Sequence, residues 1–113
     1  MARKSQPLKV TVTPRAMRDL DGIWEWNAER YGDDHAEGYV SFLRSEAYML
    51  DREYADGKPV PGAPEVLYRT IRKSRRKQSH GHVVIFQVIG KTVEVLRFYH
   101  TSQDWENRFR EGR

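Results

Sequence analysis

The stretch from His82 to Ile89 constrains the fold more than any other, because it is apolar at almost every position. An apolar run of this length is typical of a strand buried on both faces in the middle of a sheet. Gly90-Lys91 follows as a tight-turn signal, and we expect Thr92 to Tyr99 to form the paired strand. The sequence therefore predicts a β-hairpin at the centre of a sheet.

Two further strands are predicted around this hairpin. Near the N-terminus, Leu8, Val10 and Val12 alternate with polar residues, and this period of two indicates a half-buried strand. The run from Val66 to Ile71 predicts another strand. The segment from Asp56 to Pro64 before it is rich in proline and glycine, which predicts a rigid, extended loop.

A long helix is predicted directly after the first strand. Thr13 is a suitable N-cap and Pro14 a suitable first helical residue, and the helix should run to about Arg30 and stop near Gly32. At 100° per residue its apolar residues share one face: Ala16, Met17, Leu20, Ile23, Trp24, Ala28 and Tyr31. Trp26 lies off that face, which indicates packing under a loop, packing against a neighbouring helix, or contact with a partner protein.

A second helix is predicted to open at Asp33-Asp34, with Asp34 as its cap and Glu37 completing a capping box. Its core stripe contains Ala36, Tyr39, Val40, Leu43, Ala47, Leu50 and Tyr54. Phe42 and Met49 form a second stripe on the flank, so this helix is expected to contact two neighbours. The short link between the helices predicts an antiparallel hairpin.

The chain is expected to form one domain over residues 1–113. Ser102 is a candidate cap for a last short helix that carries Trp105 and Phe109 four residues apart. The predicted order is β-α-α-β-β-β with this short C-terminal helix. We therefore expect an α+β fold in which a helical hairpin packs on a small, mostly antiparallel sheet.

Composition excludes several classes of protein. The chain has no cysteine, which excludes a disulfide scaffold, a thiolate zinc site and a cysteine nucleophile. No apolar run approaches the roughly 18 residues of a membrane span, and the polar, basic N-terminus shows no secretory signal. His80 and His82 lack a third ligand at suitable spacing, so no metal site and no cofactor are expected. These features favour a cytoplasmic protein without membrane contact.

The positive charge is concentrated in one segment. The net charge is +4, yet six of the basic residues fall within nine positions: Arg69, Arg72, Lys73, Arg75, Arg76 and Lys77. Such a run attracts polyanions or acidic proteins, although it is also compatible with a solvated loop. Few aromatic residues interrupt it, which argues against sequence-specific reading of nucleic acid.

Several segments together resemble the RelE/ParE superfamily of bacterial type II toxins, and more closely its ParE branch, the plasmid stabilisation proteins. The match covers roughly Leu8 to His100. It rests on Thr13-Pro14-x-Ala16, Asp19-Leu20, Ile23-Trp24, Glu29-Arg30-Tyr31-Gly32, Ala36, Tyr39, Gly81 to Phe86, Val93 to Arg97 and His100. The basic stretch lengthens a link that is usually shorter in the family.

The resemblance implies a toxin that is neutralised by a small ParD-like antitoxin, which has a DNA-binding part and a flexible tail that wraps the toxin. Operator DNA is then reached only through the antitoxin. ParE-type toxins trap DNA gyrase with cleaved DNA, whereas RelE-type toxins cut messenger RNA on the ribosome. A third possibility is a non-toxic member that only binds its antitoxin and represses the operon.

The RelE branch carries arginines where this sequence has Val83 and Thr101. RNA cleavage needs such cations to stabilise charge in the transition state, so the ParE interpretation is favoured. Under the ribonuclease alternative the candidate residues are Arg69, Arg97 and His100, and His100 would act as acid or base. Otherwise His100 is structural, and Arg97 lies at an edge with its guanidinium in solvent.

Residues for partner binding follow from the same patterns. Trp26, Phe42 and Met49 are the candidates for contact with the antitoxin. The candidates for target binding or electrostatic attraction are the basic residues Arg72, Lys73, Arg75, Arg76 and Lys77, together with Trp105. No catalytic residue is assigned under the ParE interpretation.

Overall fold

The structure is a computed structural model and describes residues 6–73 and 81–112. Its helices and strands, in chain order, are β1 (Lys9–Val12), α1 (Pro14–Tyr31), α2 (Asp33–Tyr48), α3 (Leu50–Glu53), a 3-10 turn (Tyr54–Asp56), β2 (Lys58–Val60), β3 (Ala63–Ile71), β4 (His82–Ile89), β5 (Thr92–His100) and α4 (Trp105–Glu111). The α+β class, the helical hairpin and the short C-terminal helix are confirmed.

The strands form one five-stranded sheet in the order β1-β5-β4-β3-β2. Only β1 pairs in parallel, with β5; the other described pairs are antiparallel. The predicted central hairpin is confirmed, since β4 and β5 pair from His82 opposite His100 to Ile89 opposite Thr92. The mostly antiparallel sheet was therefore predicted correctly, with one strand more than expected.

A β-bulge in β5 marks the point where the first helix joins the sheet. Ile85 pairs with Arg97 but Phe86 pairs with Val95, so Leu96 is the additional residue. The Thr13 hydroxyl donates to the Leu96 carbonyl (3.3 Å) and accepts from the Ala16 N–H (3.2 Å). Thr13 is thus the predicted N-cap, and it also fixes the start of α1 against β5.

Two hydrophobic clusters cover the two faces of the sheet. The cluster under the helical hairpin includes Leu20, Leu43, Leu50, Val84, Phe86 and Phe98. The cluster under α4 includes Val66, Val83, Ile85, Tyr99 and Phe109, with Trp105 packed at its margin. Because side chains alternate along a strand, residues 83 and 85 of β4 face α4 while residues 84 and 86 face the hairpin.

The boundaries of the second helix differ from the prediction. Only Gly32, at φ 92°, separates α1 from α2, and Asp34 lies in the first turn of α2 without capping it. Because only one residue links the two helices, α2 already begins at Asp33 and Gly32 occupies the N-cap position. Asp34 is therefore a helical residue and not a cap. At the other end α2 stops at Tyr48, and Leu50 starts the separate α3.

Three other expectations are corrected. The proline-rich segment contains the short edge strand β2, where Pro59 is tolerated because an edge strand needs fewer donors. Ser102 does not cap α4, whose N-cap position is Asp104. Met17 and Tyr31 are exposed, although the sequence pattern assigns both to the apolar face of α1. The helix buries a narrower face than that pattern predicts.

Candidate functional site

An open groove of about 850 Å³ lies between α1, the start of α2 and the end of β5. Its cationic and histidine side chains come from Arg18, His35, Lys73, His82, Arg97, His100 and Arg108. Its aromatic side chains come from Trp26, Tyr31, Tyr39, Phe98 and Tyr99. The groove therefore combines apolar contact area with positive charge.

Asp19 is the one acidic residue among the described residues that line the groove. Its carboxylate accepts hydrogen bonds from Nε and Nη2 of Arg97 (2.8 and 3.2 Å) and from the Phe98 N–H (2.9 Å). The negative charge of Asp19 is thus compensated by Arg97. The other cations give the groove a net positive charge, which favours an anionic occupant.

The same contacts correct the interpretation of Arg97. Its side chain is only 17% exposed and is paired with Asp19, so the guanidinium is not in solvent. The pairing of β1 with β5 ends at Val12 opposite Val95, and β5 continues beyond it. Beyond that point, Asp19 of α1 lies along the edge of β5 that β1 does not pair with. The residues of β5 alone do not predict this contact with α1.

Two histidines form the floor of the groove. His82 is 6% exposed, and its Nδ1 lies 2.6 Å from the Tyr39 hydroxyl. Burial and then the neighbouring His100 lower the pKa of His82 to about 4, while burial raises the pKa of Tyr39 to about 12. At neutral pH the Tyr39 hydroxyl therefore keeps its proton, His82 is neutral, and a hydrogen bond joins the hydroxyl and Nδ1.

His100 stands edge-on to His82, with 5.0 Å between the ring centroids. Its Nδ1 accepts the Ser102 N–H (3.1 Å) and lies 2.6 Å from the Ser102 hydroxyl. Because Nδ1 acts as an acceptor, the neutral ring carries its proton on Nε2. Ser102, predicted as a helix cap, instead orients His100.

The rim of the groove at the helical turn is aromatic and exposed. Trp26 and Tyr31 are 50% and 60% exposed, with 6.2 Å between their ring centroids. The Tyr31 ring also contacts His35 at 4.7 Å, and the Arg30 guanidinium lies 3.9 Å above the Trp26 ring. An exposed cluster of this kind is typical of a protein-binding surface.

The three candidate antitoxin-binding residues occupy different places. Trp26 lines the groove, but Phe42 and Met49 are not among its lining residues. Phe42 is half-buried against Tyr39, and the Lys73 amine lies 5.9 Å from its ring centroid. Met49 is exposed at the break between α2 and α3.

The candidate electrostatic residues are described only in part. Arg72 is exposed and Lys73 lines the groove, whereas Arg75, Arg76, Lys77 and also His80 lie outside the described residues. Trp105 is half-buried and packs against Tyr68, with 4.7 Å between ring centroids. Within residues 6–73 and 81–112, no cluster of His, Asp and Glu side chains is suited to a metal ion.

Of the three candidate ribonuclease residues, Arg97 and His100 line the groove together, whereas Arg69 is not among its lining residues. Arg69 forms an ion pair with Glu53 and, by alternation with Leu67 and Ile71, lies on the hairpin face of the sheet. Arg97 lies over the ring of Tyr99 at 4.6 Å. Both guanidinium groups are therefore already paired with a carboxylate.

Two positions that carry cations in RelE-type toxins have structural roles here. Val83 is 1% exposed in the cluster under α4. Thr101 makes two hydrogen bonds with Gly81. Its N–H donates to the Gly81 carbonyl (3.0 Å), and its hydroxyl accepts from the Gly81 N–H (3.2 Å). Neither residue is placed to act on a phosphate.

Sequence reasoning did not assign Asp19, Tyr39 or His82 to the site. Asp19 meets Arg97 from 78 positions away, and Tyr39 meets His82 from 43 positions away. No local signal marks such pairs, because the sheet and the helical hairpin bring them together only after folding.

Comparisons with known proteins agree with this architecture. Residues 10–105 match the family model described as the ParE toxin of the type II toxin-antitoxin system parDE. The chain is 30% identical over 90 residues to Toxin ParE1 of Caulobacter vibrioides, covering 80% of this chain and 85% of the relative. It is 33% identical over 95 residues to Toxin ParE1 of Mycobacterium tuberculosis, covering 82% and 89%.

A solved structure also resembles the fold. It belongs to a chromosomal ParDE toxin–antitoxin system from P. aeruginosa, with a TM-score of 0.66 and 25% sequence identity. The superposition covers 85% of this chain and 98% of the solved one. No helix in the described part of the chain is long and apolar enough to span a membrane.

Proposed function

We propose, from the premise that this chain belongs to the ParE toxin family of type II toxin–antitoxin systems, that it inhibits DNA gyrase by binding. It acts in the cytoplasm, where gyrase and DNA are found. A ParD-like antitoxin neutralises it, and operator DNA is reached only through that antitoxin.

One observation carries the preference for binding over chemistry: Val83 is buried beneath α4. A cation that stabilises a transition state must reach the reacting phosphate, and its loss costs about 10²–10³ in rate. Here the position holds an apolar side chain that is packed in the same cluster as Phe109. This supports a toxin that lacks its own phosphoryl-transfer centre.

The groove is the proposed docking site for the antitoxin tail. Its uncompensated cations suit an acidic segment, and the exposed Trp26 offers an aromatic anchor of the kind that dominates binding energy. Phe42 and Met49 lie outside the groove, on the helical hairpin, and would contact a tail long enough to continue along it.

Purified toxin should inhibit supercoiling by gyrase in the presence of ATP, or accumulate cleaved DNA. The same toxin, added to programmed ribosomes, should leave codons in the A site intact. Cut messenger RNA together with unaffected gyrase would reject the proposal.

Two of the histidines that line the groove, His82 and His100, have ring centroids 5.0 Å apart and favour a ribosome-dependent endoribonuclease as the second candidate. Under this alternative His100→Ala should abolish RNA cutting by a toxin that stays folded, because a general acid or base is needed for the reaction itself. A toxin without effect on gyrase or ribosomes would correspond to a non-toxic operon repressor.

The antitoxin contact is tested by Trp26→Ala, which should weaken antitoxin binding tenfold or more, consistent with about 2 kcal/mol for a buried aromatic anchor. Tyr48→Ala is the matched control, since Tyr48 is also an exposed aromatic on the hairpin but does not line the groove. Calorimetry measures both affinities. A folded Trp26 variant with unchanged affinity removes Trp26 from the interface.

A further inference from the structure

Four arginines, from α1, β5 and α4, line the groove or the depression next to it. Arg18, Arg97 and Arg108 line the groove, and Arg97 also borders a separate depression of about 330 Å³ that Arg15 lines. Among the described residues, the side chains of Arg15, Arg18 and Arg108 make no ion pair or hydrogen bond. Arg97 uses Nε and Nη2 for Asp19, which leaves Nη1 available.

Tyr99 places a buried donor beside these arginines. The residue is 6% exposed, and its hydroxyl has no hydrogen-bond partner within the described part of the chain. The Arg97 guanidinium covers its ring. Burial raises the pKa of Tyr99; the charge of Arg97 opposes this rise, Asp19 adds to it, and Arg15 and Arg108 oppose it, so three cations and the paired Asp19 carboxylate act on the hydroxyl. A buried donor without an acceptor is costly, and an anion at this place would satisfy it.

The start of α1 adds to this preference for an anion. Its first turn contains no acidic residue, although acidic side chains normally stabilise the positive end of the helix dipole. Arg15 instead occupies the first turn and Arg18 follows one turn later. The helix dipole and the arginines therefore act in the same direction.

We propose that Arg15, Arg18, Arg108 and the Tyr99 hydroxyl bind a backbone phosphate of duplex DNA. A phosphodiester offers two unesterified oxygens that accept several hydrogen bonds, which suits several guanidinium groups and a hydroxyl better than a single carboxylate does. The inference goes beyond the proposed function, because the chain itself would contact the DNA backbone, whereas recognition of the operator sequence stays with the antitoxin.

Duplex DNA is preferred over a single strand because no stacking platform lies among these groups. Unpaired bases bind to exposed aromatic rings. Here Tyr99 and Phe109 are buried, and Trp105 is covered by Tyr68. The rings of Tyr99, Phe109 and Trp105 are therefore covered, and the exposed rings of Trp26 and Tyr31 lie two or more turns of α1 beyond Arg18.

The test is fluorescence anisotropy of a labelled duplex of about 20 base pairs, titrated with antitoxin-free toxin from about 50 to 200 mM salt. The double variant Arg15→Gln/Arg108→Gln should reduce the slope of log K against log salt by about 0.9, the value for the one phosphate contact that these arginines share. Tyr99→Phe should lower DNA affinity about fivefold with little change in slope, since it removes a hydrogen bond and no charge. Thermal unfolding checks that each variant is folded.

The matched control is Arg44→Gln/Arg52→Gln, which removes the same charge from exposed arginines that line neither depression. It should leave the slope nearly unchanged. An equal loss of slope in the control would reduce the effect to net charge and overturn the proposal. A folded Tyr99→Phe variant with unchanged DNA affinity would overturn it as well.

A glutamate decamer is the third arm. If it binds as tightly as DNA and with the same dependence on Tyr99, the site takes carboxylates and the proposal fails. Because the DNA assay contains no gyrase, its failure leaves the gyrase proposal standing. Conversely, a toxin without effect on gyrase could still bind DNA at this site.

Discussion

The two faces of the sheet are covered in different ways. The 18-residue α1 and the 16-residue α2 lie over one face, whereas the seven-residue α4 lies over the other. The long helices bring Asp19 to Arg97 in β5 and Tyr39 to His82 at the start of β4. The short helix α4 covers the other face of the sheet with Phe109 and Trp105, and its Arg108 lines the groove. A polar groove thus forms where side chains of the long helices meet the end of β5. On the other face, the short helix covers the sheet with apolar side chains.

The difference also concerns stability. A helix of seven residues is marginal in water, because its nucleation is unfavourable and few hydrogen bonds follow. Its position therefore depends on apolar packing in the smaller cluster. The helical hairpin packs over the larger cluster and is further held by the Trp24 to Glu37 hydrogen bond (2.9 Å) between its helices.

Phenylalanine truncation on each face should show the largest contrast. Phe86→Ala, in the fully buried cluster under the hairpin, should lower the free energy of unfolding by about 3–5 kcal/mol. Phe109→Ala should cost about 2 kcal/mol, because α4 can detach while the rest stays folded. Denaturant titration gives both values, and hydrogen exchange should show lost protection in α4 alone for Phe109→Ala. Equal costs with global loss of protection would mean that the two faces unfold as one unit.

Acid should destabilise the groove face through His82. Its pKa is about 4 in the folded state against an ordinary 6.5, so the unfolded state binds more protons between these values. The free energy of unfolding should therefore be highest above pH 6.5 and fall by at most about 3 kcal/mol as the pH drops to 4. His82→Gln should flatten this part of the stability profile. His35→Gln, which changes an exposed histidine, should leave it unaltered; identical profiles for all three proteins would refute the role of His82.

The link between α1 and β5 should give a smaller effect. Asp19→Asn removes the charge that holds Arg97 and should cost about 2 kcal/mol, since hydrogen bonds to charged groups are worth about 1.5–3 kcal/mol. Asp21→Asn removes the same charge from an exposed position of α1 and should stay within about 0.5 kcal/mol. Thermal unfolding at one pH compares them. A similar loss for both would assign the effect to net charge rather than to the Asp19 contacts.

Much of the fold followed from local patterns. Thr13-Pro14 marked the start of α1, Gly32 marked its end, and the apolar run before Gly90 marked the central hairpin. The errors lay at element ends, where Met49 interrupts the second helix and Pro59 belongs to an edge strand. At such positions propensity is weak and contacts with distant residues decide the conformation.

The candidate site was much less visible in the sequence. Trp26 was identified because a large aromatic off the apolar face is a local anomaly. Arg97 was assigned to solvent because nothing in its own strand predicts Asp19, and His82 was considered only as an unlikely metal ligand. The sequence by itself determined the order and kind of the elements, since turn residues and apolar periods act over a few positions. Only the tertiary structure decided which polar side chains meet at the end of β5, because burial and pairing across 43 and 78 positions arise when helices pack on the sheet.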